Sequence, residues 1–284
     1  MILKSYLFKK VTIVGVGLMG GSLGMALKKH EVAREVVGLS HRQSSIVQAI
    51  KCKAIDAGFI DVAKAIRNAD LVVLATPVDE IIKLFPKINP HLKRGCIVTD
   101  LGSAKAEIVE AAKKSLSAHN FFIGSHPLAG SDKKGINFAQ ENLYEDSACI
   151  ITPVEDTHNV AKLKIKQMWT KLGSKVKSMD PKEHDEILSY ISHLPHLMAY
   201  ALMNTVPDKF TDYASSGLKD TTRVAASSPQ LWNDIFLANS KNVIKSLDEL
   251  IGQLSLLRKS IVERNQKDLT QHLTLAKEKR DGLK

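Results

Sequence analysis

The sequence predicts an α/β chain: a doubly wound parallel sheet over residues 1–180, followed by an all-helical half over residues 181–284. Three observations carry this expectation. Short apolar runs alternate with amphipathic stretches as far as Asp180, a glycine-rich turn follows the first run, and strand signal almost vanishes after Asp180-Pro181.

The apolar runs cover residues 11–16, 36–39, 71–75, 97–99, 121–123, 148–151 and 175–178. They lack the polar alternation of a half-solvated sheet, so the expected strands are parallel and covered on both faces. In the second half Val243, Leu247, Leu250, Leu254, Leu257 and Ile261 recur at steps of four and three, one seam on one long helix. Such a seam either packs within its own domain or meets a second copy of the chain.

A length of 284 residues, with 44% hydrophobic and 25% charged side chains, suits two globular domains with cores of their own. Cys52, Cys96 and Cys149 are odd in number, far apart and without a C-x-x-C pair, so neither a disulfide framework nor a metal site is expected. A reducing cytoplasm fits such cysteines best. The first ten residues are too polar for a signal-peptide core, and no apolar run approaches membrane-spanning length, so no membrane partner is expected. The formal net charge is +10, but the basic residues are spread along the helices and aromatics are few. That pattern argues against nucleic acid and for a small anionic ligand.

The most specific single motif is Val11-Thr-Ile-Val-Gly15-Val-Gly17-Leu18-Met19-Gly20, a G-x-G-x-x-G placed directly after a strand and at the start of a helix. Gly15 permits the turn, Gly17 lets backbone approach a pyrophosphate, and Gly20 lets helix and sheet pack closely. Leu18 and Met19 complete the turn over the phosphates, which sit on the positive helix end. This is a Rossmann-type dinucleotide site. At the end of the second strand, where an NAD site usually carries an acid, the chain reads Ser40-His41-Arg42. A serine and an arginine can bind a 2′-phosphate that a carboxylate would repel, so NADP is favoured over NAD. The plainer alternative is a solvated Arg42, with NAD held through other contacts.

Ligands of doubly wound sheets lie outside the carboxyl ends of the strands. The segments expected there are Thr76-Pro77, Asp100-Leu-Gly102-Ser103-Ala-Lys105 and Gly124-Ser125-His126-Pro127. Thr76, Pro77 and Gly102 are placed beside the cofactor. His126 is the candidate base, because oxidising an alcohol requires the hydroxyl proton to be held as hydride leaves, and a neutral imidazole titrates near ~6.5. Ser103 either bonds the same hydroxyl or merely caps a helix beginning near Ala104. In the helical half Ser192 and His196 are four apart and share a face, while Pro195 cannot donate to the Ile191 carbonyl and bends the helix. Asp220 and Arg223 are three apart, and a weak exposed salt bridge is their bland reading.

Five segments in order make the chain resemble the prephenate and arogenate dehydrogenases of tyrosine biosynthesis: Val14 to Ser22, Asp100 to Lys105, Gly124 to Gly130, Ser192 to His196, and Asp220 to Ala225 with Ser228-Pro229-Gln-Leu-Trp232 behind it. The resemblance implies oxidative decarboxylation of prephenate to 4-hydroxyphenylpyruvate with hydride transfer to NAD(P)+, with arogenate as the substrate variant. It implies that His126 meets the ring hydroxyl with Ser103 beside it, and that Ser192, His196, Arg223, Asp220 and Asp132 serve the substrate site. It also implies a helical dimerisation domain, hence a homodimer, with Arg223 able to reach the partner's site. Two positions depart from the common pattern: Asp132 replaces a glutamate and Lys134 a small residue. Neither a regulatory domain nor a fused mutase is expected in 284 residues. A hydroxyacid or pyrroline dehydrogenase of the same build, or a non-catalytic dinucleotide sensor, are the alternatives; neither needs His126.

Overall fold

The computed structural model describes residues 5–130, 133–155 and 157–283. The first half runs β1 (Phe8–Val14), α1 (Leu18–Lys29), β2 (Ala33–Leu39), α2 (Gln43–Lys51), β3 (Ala57–Phe59), α3 (Val62–Ile66), β4 (Leu71–Leu74), α4 (Val78–Ile88), β5 (Ile97–Asp100) and α5 (Ala106–Ser115). It continues through β6 (Phe121–Pro127), β7 (Ala148–Thr152), α6 (Asn159–Lys171) and β8 (Lys175–Ser178). Helices follow: α7 (Pro181–Leu188), α8 (Leu194–Thr205), α9 (Ser216–Thr222), α10 (Pro229–Ala238), α11 (Ser240–Val262) and α12 (Gln266–Asp281).

The strands form one sheet in the order β3-β2-β1-β4-β5-β6-β7-β8. Period-two alternation splits its side chains between two cores. Val11, Ile13, Leu71 and Val73 face Leu23 and Leu27 of α1 and Ile165 and Trp169 of α6. Val14, Val72, Leu74 and Val98 face Ile81 and Phe85 of α4 and Ile108 of α5. Each fully buried side chain of this kind contributes about 1.5–3 kcal/mol, which is why the runs read so clearly as strands.

Two features of the sheet differ from expectation. β3 has only three residues, too few for a pattern, and Gly58 within it is needed because a Cβ would lie 2.4 Å from Ile46 of α2. The sheet is also not wholly parallel, since β7 pairs antiparallel with β6 while β8 runs parallel to β7. Pairing with β7 extends β6 beyond Ile123, through Gly124, Ser125, His126 and Pro127. His126 is therefore inside a strand rather than in a loop after one.

Asp180 caps α7, its carboxylate accepting the Lys182 N–H at 2.7 Å, with Pro181 at the first helical position. The bend expected at Pro195 takes the form of a π turn, Ser189–His193, in which the backbone widens just before the proline that cannot donate. On α11 Val243 is buried, Leu247, Leu250 and Leu257 are half-buried, and Leu254 and Ile261 are exposed. The seam is thus only partly packed within its own chain. Among the described residues, no helix is long and apolar enough to cross a membrane.

Candidate active site

The chain reverses direction across the sheet at β1, whose neighbours are β2 and β4, and the crevice outside such a switch point holds ligands in this architecture. Gly15 leaves β1 at φ +95°, and a Cβ there would lie 2.6 Å from the Ala75 carbonyl oxygen. Both conformation and space demand glycine. At Gly20 a Cβ would lie 2.0 Å from the Gly15 carbonyl oxygen, so α1 presses directly on the turn. Gly17 is different, because a Cβ there would meet nothing within 4 Å. Packing gives no reason for that glycine; close approach of a ligand does.

Gly17 also precedes α1 without a side-chain cap, and no acid occupies the helix's first turn. The helix end is left open to a pyrophosphate. Leu18 and Met19 form the first turn, and the Met19 carbonyl accepts the Tyr144 hydroxyl at 2.7 Å. Across the crevice Thr76 and Pro77 follow β4, and the buried Thr76 hydroxyl has no protein partner among the described residues. Ser40 follows β2, its hydroxyl accepting the Arg42 N–H at 3.3 Å, and the His41 and Arg42 side chains are exposed beside it. These residues fit a nicotinamide dinucleotide, which supplies the hydride acceptor when bound.

Along the same edge β5 ends at Asp100, whose carboxylate is fully buried and pairs with the equally buried Lys105 ammonium. Asp100 also accepts N–H groups from Gly102 at 2.8 Å and Ser125 at 3.1 Å. Two chain segments are thereby tied to one carboxylate. Gly102 carries a packing constraint of its own, since a Cβ would lie 2.7 Å from Ile108. Ser103 does not cap the next helix: α5 begins at Ala106, and its first N–H groups, from Lys105 and Ala106, are taken at 2.7 and 2.8 Å by the Asp185 carboxylate of α7. The capping alternative for Ser103 is thus excluded, and the residue is half-buried in the segment between β5 and α5.

His126 is 9% exposed, and its Nδ1 lies 2.9 Å from His184 Nε2. His184 Nδ1 lies 2.8 Å from Asp185 Oδ1. Burial, followed by the electrostatic influence of the adjacent His184, Lys105 and His193, holds the His126 pKa well below the ordinary histidine range. Burial also lowers that of His184, against the opposing pull of Asp185. His193 is lowered to about 4, again chiefly by burial. All three rings are neutral near pH 7.

The Asn239 amide donates to the Asp185 carbonyl at 2.7 Å and lies 3.1 Å from His193 Nδ1, which leaves His193 as acceptor at that nitrogen. His193 faces into the fold, whereas His196, one turn on, is half-buried and stacked on Trp232 with centroids 3.5 Å apart. His196 Nδ1 donates to the Ser192 carbonyl at 2.9 Å, so the pair sharing a face is joined through backbone, and the Ser192 hydroxyl stays half-buried beside it. Arg223 is exposed, and its charge helps to lower the His196 pKa after burial. It thus stands near His196 of its own chain. Asp220 is exposed on α9, and no ion pair joins it to Arg223 among the described residues. Asp132 lies outside the described residues. Lys134 donates to Ser228 Oγ at 2.7 Å, tying the β6–β7 connection to the start of α10.

His184, Asp185 and Asn239 were not legible as site residues. His184-Asp185 sits in the first turns of an ordinary amphipathic helix, and only the docking of α7 against α5 and β6 brings both beneath His126.

A model of the prephenate dehydrogenase nucleotide-binding domain matches residues 23–178, and one of the prephenate dehydrogenase dimerization domain matches residues 180–275. Prephenate dehydrogenase from Bacillus subtilis (strain 168) is 31% identical over 280 residues, 96% of this chain and 76% of the relative. Cyclohexadienyl dehydrogenase from Zymomonas mobilis is 32% identical, over 98% of this chain and 97% of the relative. The solved structure of prephenate dehydrogenase from A. aeolicus in complex with hydroxyphenyl propionate and NAD+ has a TM-score of 0.89 at 33% identity, covering 96% of this chain and 97% of that one. The chain belongs to the prephenate dehydrogenase family and is a nicotinamide-dinucleotide oxidoreductase.

Proposed function

We propose that this enzyme catalyses the oxidative decarboxylation of prephenate to 4-hydroxyphenylpyruvate, with arogenate as the substrate variant, and that His126 is its acid–base group. The observation that carries the reading is a buried, neutral imidazole on the same sheet edge as a glycine turn open to a dinucleotide. Hydride leaves the ring carbon that bears the hydroxyl, the bond to the ring carboxylate breaks, and its electrons make the ring aromatic. No net proton is released, since the product keeps its hydroxyl. The role left for His126 is to hold that proton while positive charge builds on the carbon and to return it to the phenol oxygen.

Ser103 assists at the hydroxyl. Ser192, His196 and Arg223 hold the rest of the substrate, with Asp220 at its margin. Two carboxylates on the substrate explain the value of a cation beside a stacked imidazole. Arg223→Ala should raise the substrate KM about 10- to 100-fold, the loss of one or two charge-assisted hydrogen bonds, with the dinucleotide KM little changed. Equal rises in both would assign Arg223 to structure. The reading as a whole is tested by steady-state formation of NAD(P)H with prephenate and arogenate, and absence of turnover with both would overturn it.

For the cofactor, Ser40 and the exposed Arg42 support NADP over NAD. Arg42→Ala should raise the KM for NADP about tenfold or more, one charge-assisted contact, and leave that for NAD nearly unchanged. A wild-type preference for NAD would remove Arg42 from this role. We assign residues 1–180 to the dinucleotide domain and 181–284 to the substrate and dimerisation domain. The exposed Ile251, Leu254 and Ile261 of α11 support a homodimer through that helix, and the three free cysteines support a cytoplasmic enzyme.

A further inference from the structure

We propose that Asp185 and His184 are positioning residues that lock His126 in its Nδ1–H tautomer and so make Nε2 the atom that receives the substrate hydroxyl's proton. This deepens the reading of His126 as acid–base group and rests on it.

The argument is one of hydrogen-bond polarity along a buried chain. Asp185 spends both carboxylate oxygens on the N–H groups of Lys105 and Ala106, at 2.7 and 2.8 Å, at the start of α5. A carboxylate held by backbone donors at a helix N-terminus is an acceptor. His184 Nδ1, 2.8 Å from Asp185 Oδ1, must therefore carry a hydrogen and donate it. In a neutral ring this leaves His184 Nε2 with a lone pair alone. His126 Nδ1 lies 2.9 Å from that lone pair, so it must in turn carry the hydrogen. The remaining nitrogen of His126, Nε2, is then bare.

Every link is buried: His184 is inaccessible, Asp185 is 1% exposed and His126 9%. Water has little access to supply a competing donor and reset the polarity. The other groups around the chain do not reverse it. Lys105 is committed to Asp100, and His193 is an acceptor at Nδ1 toward Asn239, whose second hydrogen goes to the Asp185 carbonyl. That last bond also holds the helix on which Asp185 and His184 sit. When Nε2 takes the hydroxyl proton, the imidazolium donates through Nδ1 into a chain that ends on a negative carboxylate. When the proton returns to the phenol oxygen, the chain resumes its starting polarity, and no proton is gained or lost.

The most direct test is the imidazole nitrogen-15 spectrum of the wild-type enzyme, with His126 assigned by its loss in His126→Asn. The expected result is a protonated Nδ1 and a bare Nε2 on His126 between pH 6.5 and 8; the opposite tautomer would overturn the proposal. This readout needs no substrate, so it fails separately from the assignment of the reaction. The second arm is kinetic. In Asp185→Asn the amide can donate to His184 and invert the chain, so kcat should fall by about two to four orders of magnitude, the range seen when a base is held in the wrong tautomer. Substrate and dinucleotide KM should stay within roughly threefold, as expected when only a transition-state interaction is lost. His184→Gln, whose amide oxygen can still accept from His126 Nδ1, should keep far more activity than His184→Leu. Equal loss in those two variants, with the wild-type tautomer in both spectra, would assign His184 to packing alone.

Discussion

His126→Asn is expected to lower kcat by about two to four orders of magnitude while dinucleotide affinity survives, the usual worth of a positioned acid–base group. Asparagine keeps a polar side chain of similar reach but cannot take up a proton. Titration of the variant with dinucleotide, followed by single-turnover kinetics, separates the two quantities, and a kcat within a few-fold of wild type would remove His126 from the chemistry. The same residue sets the pH dependence. The sequence alone places the acid limb near ~6.5, the ordinary histidine value. Burial, with the adjacent His184, Lys105 and His193, puts the folded pKa well below that, so the neutral, working form persists as pH falls through 6.5. The kcat/KM profile is expected to stay flat from pH 8 to 6.5 and to decline only at lower pH, as protons reach the coupled His126–His184 pair. An acid limb centred at 6.5 or above would mean that the imidazole is solvated.

The second large effect is on stability. Lys105→Met removes one partner of an ion pair in which both side chains are fully buried, leaving the Asp100 carboxylate, among the described residues, with the Gly102 and Ser125 N–H groups. Breaking such a pair costs about 3–5 kcal/mol, because the remaining charge stays desolvated. For a chain of this size that corresponds to a fall in Tm of roughly 10 °C, measurable by calorimetry. The double variant Asp100→Asn, Lys105→Met should recover a large part of the loss, since the uncompensated charge is gone. A single variant as stable as wild type would show that the pair contributes nothing net. The pair matters for function as well, since Asp100 ties the end of β5 to the strand that carries His126.

Much of the fold was legible because burial on both faces of a sheet demands unbroken apolar runs, and helices between them demand amphipathic ones. β3 was missed because three half-buried residues, Ala57-Gly58-Phe59, carry no periodicity. The reversal at β7 was missed because side-chain pattern is blind to strand direction; only backbone pairing such as Gly124 with Thr152 records it.

At the site, the glycine turn and His126 stood out in the sequence, whereas His184, Asp185 and Asn239 did not. Gly15, Gly17 and Gly20 announced themselves through local backbone needs, and His126 through its rarity at strand ends. Ser103 left two roles open until Asp185, 80 residues beyond Lys105, was found on the helix end that Ser103 might have capped. Spacing left a plain surface salt bridge open for Asp220 and Arg223, whereas the folded chain sets the Arg223 charge against His196.

What the sequence determined by itself was therefore the set of local constraints: where strands and helices form, where only glycine fits, and which side chains can hold a proton or a carboxylate. The tertiary structure decided how those groups are wired. Hydrogen-bond polarity, the depressed pKa of His126 and the ion pair beneath it all arise from groups far apart in the chain brought together away from water, where each bond constrains the next.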